Sequence, residues 1–266
     1  MTDLTLEGVS FRYPRGGALA LDRIDLRISA GERVALIGQN GSGKTTLVRH
    51  LNGLLRPTTG RVLHDQADVA ARTVAQLAHA VGLAFQDPDR QIFAGSVRHE
   101  VEFGPRNLGL RGVALRKAVD DALAEVGLEA EASTNPYDLG ASRRKLLALA
   151  SVQAMGTPVL VLDEPTTGQD LRGLEIVKGV IERAQSAGRT VVAISHDMDF
   201  VAGSFDRVVV LRAGSVILDG TPASVFGEAS WAALRSTYLE PPLPAIIGSR
   251  LGLGATPTDD ALLAAL

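Results

Sequence analysis

The stretch GQNGSGKTT at 38–46 constrains this chain more than any other. It fits G-x-x-x-x-G-K-[ST], follows the apolar run ERVALIG (32–38), and opens a helical pattern expected to run from Lys44 to about Leu55, where Pro57 stops it. A strand that ends in glycine and turns directly into a helix aims several backbone N–H groups at one point, where the helix dipole also favours an anion. The loop of Gly38, Gln39, Asn40, Gly41, Ser42 and Gly43 is therefore expected to wrap phosphates with the amides from Asn40 to Thr46. Lys44 would reach the β and γ phosphates, and Thr45 would offer its hydroxyl to Mg²⁺. A chance glycine-rich turn carries little weight, because motif, context and a matching acid downstream agree.

The rest of the pattern reads as a buried sheet behind this loop. PVLVLDEP (158–165), TVVAIS (190–195) and the second half of VAQLAHAVGLAF (74–85), which ends at Gln86, are short apolar runs. Helical patterns over 171–187 and 198–203 alternate with them, and RVVVLRAGSVILDG (207–220) reads as a hairpin. LTLEGVSFRY (4–13) and LDRIDLRI (21–28) alternate apolar and polar residues around Pro14, Gly16 and Gly17, as a half-exposed antiparallel hairpin does, and GRVLHD (60–65) adds a short strand. Residues 96–130 interrupt with two helical pieces, with Pro105 and Gly109 as breakers, and a further helix ends near Met155.

The expected fold class is α/β, a mostly parallel core sheet with helices on both faces, an N-terminal antiparallel β layer and a helical subdomain over about 87–155. This domain covers 1–220, and 221–266, with EPPLP at 240–244 and DDALLAAL at its end, reads as an accessory tail.

With 266 residues, 45% of them hydrophobic, the chain can bury one large core. Its 27 basic and 30 acidic residues give a net charge of -3, so no global basic field marks nucleic acid as a partner. The absence of cysteine rules out disulfides and thiol catalysis and fits a reducing compartment. No apolar run approaches the ~18–20 residues of a membrane-spanning helix. MTDLTLEGVS has neither a basic nor an apolar signal region, so the expectation is a chain neither secreted nor integral to a membrane.

In VLVLDEP, Asp163 ends a buried strand, where it can hold the Mg²⁺ shell, and Glu164 is placed to orient or deprotonate an attacking water. His196 follows TVVAIS at the edge where such a sheet gathers ligand groups, and can bond a γ-phosphate or hold the glutamate. Gln86, at its own strand end, can reach the Mg²⁺ or the water. The other histidines, His50, His64, His79 and His99, read as structural.

A second anion seat stands at 138–150, DLGASRRKLLALA, where small residues again lead into a helix. In order, GQNGSGKTT, FQDPDRQIF, a helical block, LGASRRKLLALA directly before VLVLDEP, then TTGQD and SHD, make the chain resemble the ATP-binding subunit of an ABC transporter over roughly 3–220. FQDPDRQIF, DEPTTGQD and the LEPPLPAIIGSRLGL tail resemble, more narrowly, the ATPases of energy-coupling-factor transporters, importers of vitamins and of cobalt or nickel.

The resemblance implies the P-loop NTPase fold of ABC type, with ATP and Mg²⁺ as cofactors. It implies a second ATPase subunit, an integral membrane coupling subunit and a substrate-capture subunit as partners, at the cytoplasmic face of the cell membrane. It matches Tyr13 to the residue that stacks on adenine, Gln86 and the helical block to the membrane-partner link, Asp170 to the acid of the inter-subunit loop, and His196 to the γ-phosphate switch. Gly140, Ala141, Ser142 and Arg143 fall at the signature position that completes a partner's nucleotide site, where the family pattern is LSGGQ and this chain reads LGASR. Either Ser142 supplies the hydroxyl from a shifted position and Arg143 or Arg144 adds charge toward the γ-phosphate, or the signature is weakened and its site slow. The competing readings are a soluble ABC-type ATPase, which usually shows paired domains or a long coiled-coil insertion absent from these residues, and a non-hydrolysing assembly module, which Lys44, Asp163, Glu164 and His196 argue against.

Overall fold

A computed structural model describes residues 2–14 and 17–266, so Gly16 of the first turn lies outside the described residues. The chain runs through β1 (Leu4–Phe11), β2 (Leu21–Ile28), β3 (Arg33–Ile37), α1 (Lys44–Leu51), β4 (Thr59–His64), β5 (Ala67–Asp68), α2 (Val74–Leu77) and β6 (Val81–Ala84). Then come α3 (Val97–Asn107), α4 (Gly112–Val126), α5 (Ala141–Gln153), β7 (Val159–Asp163), α6 (Leu171–Ser186), β8 (Thr190–Ile194), α7 (Met198–Ser204), β9 (Arg207–Arg212) and β10 (Ser215–Gly220). Short helices α8 (Pro222–Val225), α9 (Trp231–Arg235), α10 (Leu243–Arg250) and α11 (Asp259–Ala265) follow.

The strands form an antiparallel sheet, β2-β1-β4-β5, and a six-stranded sheet, β10-β9-β3-β8-β7-β6, parallel except where β10 returns on β9. This is the expected α/β class. The apolar runs are continuous because both faces of the larger sheet are buried. Val34, Leu36, Val159, Val161, Val192 and Ile194 face the antiparallel sheet and α1, while Ala35, Ile37, Leu160, Leu162, Val191 and Ala193 face a second core built with α3 to α7. Each such valine, leucine or isoleucine contributes about 2 kcal/mol by leaving water, so register is firmly set.

Two element boundaries differ from expectation. α1 ends at Leu51 rather than Leu55, because Gly53 turns the chain with φ +73 against Leu77, before Pro57 is reached. Pro105 lies inside α3 near its end instead of breaking it; a proline so close to the last turn forfeits a single ladder bond, and Gly109, at φ +98, makes the turn. α4 stops at Gly127, whose left-handed backbone lets Leu128 N–H donate to Leu123 O at 2.9 Å.

The 221–266 segment packs closely on the domain. Val225, Phe226, Leu234 and Ala245 belong to the same buried cluster as α3 to α7, and Phe226 is wholly buried. Among the described residues no helix is long and apolar enough to cross a membrane.

Candidate active site

The ends of β3, β6, β7 and β8 meet at one cavity of about 400 Å³. After β3 the chain enters the phosphate loop, where two glycines are sterically required. A Cβ on Gly38 (φ +146) would stand 2.2 Å from Leu211 O, and one on Gly43 (φ +108) 2.6 Å from Ala20 O. Asn40 to Thr46 line the cavity, and Lys44 folds back so that Nζ donates to Gly38 O at 2.6 Å and Gln39 O at 3.0 Å. Burial pushes the Lys44 ammonium below its ordinary pKa, against the opposing pull of Glu164 and Asp163. Ser42 Oγ is buried with no hydrogen-bond partner among the described residues.

Asp163, the last residue of β7, accepts from Thr45 Oγ1 at 3.2 Å. Burial raises its carboxyl above the usual range, with the Thr45 bond acting the other way. The Thr45 hydroxyl, the Asp163 carboxylate and the Gln86 amide on the same wall are hard oxygen donors of the kind Mg²⁺ takes. Among the described residues no group of three His, Cys, Asp or Glu is placed to hold a metal ion.

Glu164 is buried and has φ +54, a left-handed backbone that costs a non-glycine residue on the order of 1 kcal/mol and collects at functional sites. Its N–H donates to Ile194 O at 3.0 Å, tying it to the end of β8. There His196 Nε2 stands 3.1 Å from Glu164 Oε1, and Thr167 Oγ1 donates to Oε2 at 3.4 Å. Tyr13 lines the cavity, 41% exposed, edge-on to Phe11, with its hydroxyl 3.0 Å from Thr46 Oγ1.

Lys44, Thr45, Gln86, Asp163, Glu164, His196 and Tyr13, expected from sequence, thus share one wall-to-wall space. Thr167, four residues past the end of β7, joins them; in the sequence it stands only as a letter of TTGQD, with no role assigned to it. His50 and His64 are structural: His50 Nδ1 bonds Thr46 O at 2.7 Å and His64 Nε2 bonds Leu51 O at 2.8 Å, and burial pushes both rings toward neutrality.

The signature residues and Asp170 do not line this cavity. Gly140, extended at φ -62, caps α5, and it and Ala141 are exposed. Ser142 Oγ donates to Gln169 Oε1 at 2.7 Å, and Gln169 Nε2 donates back to Ser142 O at 3.2 Å. Arg143 Nη2 donates to Gly127 O at 3.0 Å and pairs with Glu131 Oε1 at 2.5 Å. Within the chain alone the Ser142 hydroxyl is thus engaged by Gln169 and the Arg143 guanidinium by Gly127 and Glu131. Arg144 is committed too, donating to Leu139 O at 2.7 Å and standing 3.1 Å from Asp89 Oδ1 without hydrogen-bond alignment. What α5 presents at its start is backbone. Asp170 is exposed and caps α6, accepting from Gly173 N at 2.8 Å.

The ABC transporter family profile matches residues 21–167. The energy-coupling factor transporter ATP-binding protein EcfA of Methanothermobacter thermautotrophicus is 36% identical over 258 residues, 96% of this chain and 82% of that protein. A putative ABC transporter ATP-binding protein of Methanosarcina acetivorans is 42% identical over 240 residues, 90% of this chain, and the chain spans only 39% of its length. Among solved structures, cbiO1 from Clostridium perfringens, described as part of the ABC transporter complex cbiONQ, superposes with TM-score 0.76 at 36% identity, covering 94% of this chain and 98% of that one. The dimeric cassette MJ0796 bound to ADP and Pi gives TM-score 0.75 at 25% identity, covering 82% and 98%.

Proposed function

The chain belongs to the ABC transporter family of ATP-binding proteins, and from that premise we propose that it is the ATP-hydrolysing subunit of an energy-coupling-factor type importer. It would work as one of a pair of ATPase subunits, homo- or heterodimeric, at the cytoplasmic face of the membrane and drive uptake of a small solute, a vitamin or a transition-metal ion. The observation that carries the hydrolytic reading is the buried Glu164 carboxylate, held by His196 at 3.1 Å, in the same cavity as Lys44 and the Thr45–Asp163 pair.

The chemistry follows from those groups. The loop amides and Lys44 hold the β and γ phosphates and offset their charge. Glu164 orients a water in line with the γ-phosphorus and takes its proton as the new P–O bond forms and the bond to the β-phosphate oxygen breaks. His196, bonded to that carboxylate, keeps it aimed and sits where it can contact the γ-phosphate. Mg²⁺, when bound on Thr45 and Asp163 with Gln86 nearby, would neutralise charge on the phosphate oxygens. Tyr13, at the margin, is placed to stack on adenine.

The start of α5 lies outside this chain's own cavity, which supports its serving the nucleotide of a second subunit, with Asp170 in the adjoining loop. The dimeric state named for MJ0796 and the complex named for cbiO1 support the same assembly. The region after Gln86, with α3 and α4, would pass the motion to an integral coupling subunit, and a separate capture subunit would choose the solute. Because Ser142 and Arg143 are committed within the chain, the site that this α5 completes would be the slower of two.

Co-expression with candidate membrane subunits tests the assignment: copurification and ATP-dependent uptake are expected, and failure of both would remove the transport reading. For the chemistry, Glu164→Gln should lower turnover by roughly 100-fold or more while nucleotide binding persists. Equal rates would exclude Glu164 as the base.

A further inference from the structure

Glu164 needs more than its own strand to stay in a left-handed conformation, and the extra support comes from a helix named above for another purpose. Lys145, on the first turns of α5, extends Nζ to Glu164 O and to Thr167 O, both at 2.8 Å. The ammonium is half-buried and has no carboxylate within salt-bridge distance among the described residues; carbonyl oxygens alone satisfy it there. It sits beside a second cavity, about 390 Å³, bounded by Gln86, Ala141 and Thr167. Thr167 is also the residue whose hydroxyl reaches the Glu164 carboxylate. One ammonium therefore staples both ends of the 164–167 turn to α5.

A lysine in this place is not explained by packing. An apolar side chain would fill the space with no charge to desolvate, and the helix start already carries Arg143 and Arg144 for solubility and ion pairing. A cation spent on two main-chain carbonyls buys geometry, since it penalises any turn of the Glu164 peptide that takes its oxygen away.

We propose that Lys145 is a positioning residue for hydrolysis, holding the Glu164 backbone in its left-handed conformation through Glu164 O and Thr167 O and thereby aiming the carboxylate that His196 contacts. The inference rests on the hydrolytic reading of Glu164. It links α5 mechanically to the chain's own reacting centre, so the helix that would meet a partner's nucleotide also grips the local base.

The test compares wild type, Lys145→Met, Lys145→Arg and Lys145→Gln as full chains. Hydrogen exchange of the amides of 163–168 reads the staple without turnover, and steady-state ATP hydrolysis reads its consequence. Lys145→Met should exchange roughly tenfold faster in that segment alone and lose roughly tenfold in kcat, with KM for ATP within about twofold. Lys145→Arg, which keeps paired donors, should recover most of both losses. Lys145→Gln covers the case in which the methionine variant fails to fold and should fall between. Unchanged exchange and kcat in the methionine or glutamine variant would overturn the proposal, and so would a raised KM at constant kcat, which would make Lys145 a nucleotide contact. A wild type that hydrolyses nothing while the exchange of 163–168 still responds to Lys145 would overturn the hydrolytic reading and leave the staple standing.

Discussion

The chain has two places where a turn feeds a helix start suited to an anion, and they are built on opposite plans. At 38–46 the geometry is imposed by crowding: Gly38 and Gly43 lie against the carbonyls of Leu211 and Ala20, and no other residue fits. At 139–143 it is imposed by side-chain ties: Gly140 has open space where a Cβ would stand, among the described residues, while Ser142, Arg143 and Arg144 are moored to Gln169, Glu131 and Leu139. A seat shaped by backbone contact tolerates no side chain at Gly38 or Gly43. A seat moored by side chains can change its letters so long as the moorings hold, which is how a chain can depart from LSGGQ and keep a helix start of the same kind.

The most severe way to break the first seat is Gly43→Ala. Its Cβ meets a backbone carbonyl at 2.6 Å from a left-handed position, so ATP binding should weaken by roughly 100-fold, as titration calorimetry would read. Binding near the wild-type value would mean that the loop gives way easily and that the contrast is false.

Acid should also strike the first seat harder. His50 hangs from α1 beneath the loop, its ring held neutral by burial, and His64 shares that state nearby. Both folded-state pKa values lie below the unfolded value of 6.5, so their stabilities are complete above it and are lost as pH falls through and below it. Denaturant titrations should show a fall of at most about 1.4 kcal/mol per pH unit for each histidine. His50→Gln should remove roughly half of that slope, and an unchanged slope would exclude His50 as its source.

At the second seat the expected effects shrink. Arg143→Ala cuts a half-exposed mooring to Glu131 and should cost about 1 kcal/mol of stability. Turnover in the assembled pair should move by less than about threefold; a larger loss carried by KM would put the guanidinium on a phosphate after all. Smallest of all is Gly140→Ala, which should leave stability within about 0.5 kcal/mol. A stability loss beyond about 2 kcal/mol would mean that Gly140 is crowded too and would erase the distinction between the two seats.

The same contrast governs what can be read before folding. Lys44 was legible from its glycine-rich motif, and Gln86, Asp163, Glu164 and His196 because each ends or follows an apolar run; parallel strands bring such ends to one edge whatever the helices do. The architecture was legible for the same reason, as was the antiparallel layer from its alternation. The left-handed backbone of Glu164 was not, since it is imposed by Ile194 O and Lys145 from other elements. Nor were the moorings of α5: Ser142 meets Gln169 27 positions away, and three successive basic residues, Arg143, Arg144 and Lys145, leave the helix toward three different partners. A run of like charges states how much cation is present but not which carbonyl or carboxylate each one will find. The stop of α1 at Gly53 was missed because a left-handed glycine against Leu77 acted before the more conspicuous Pro57.

β3 lies between β8 and β9 in the sheet, although both are made more than 150 residues later, and the carbonyl that hems in Gly38 belongs to Leu211. The phosphate loop is therefore made well before the strands and the carbonyl that complete its walls. A nascent chain that has not reached Leu211 lacks the wall against which the loop is set, and one that has not reached Phe226 also lacks Phe226, Leu234 and Ala245 from its core. Nucleotide capture is thus a property that waits on segments made after the loop, and a chain interrupted before Leu211 would hold the motif in its letters without the wall that shapes it.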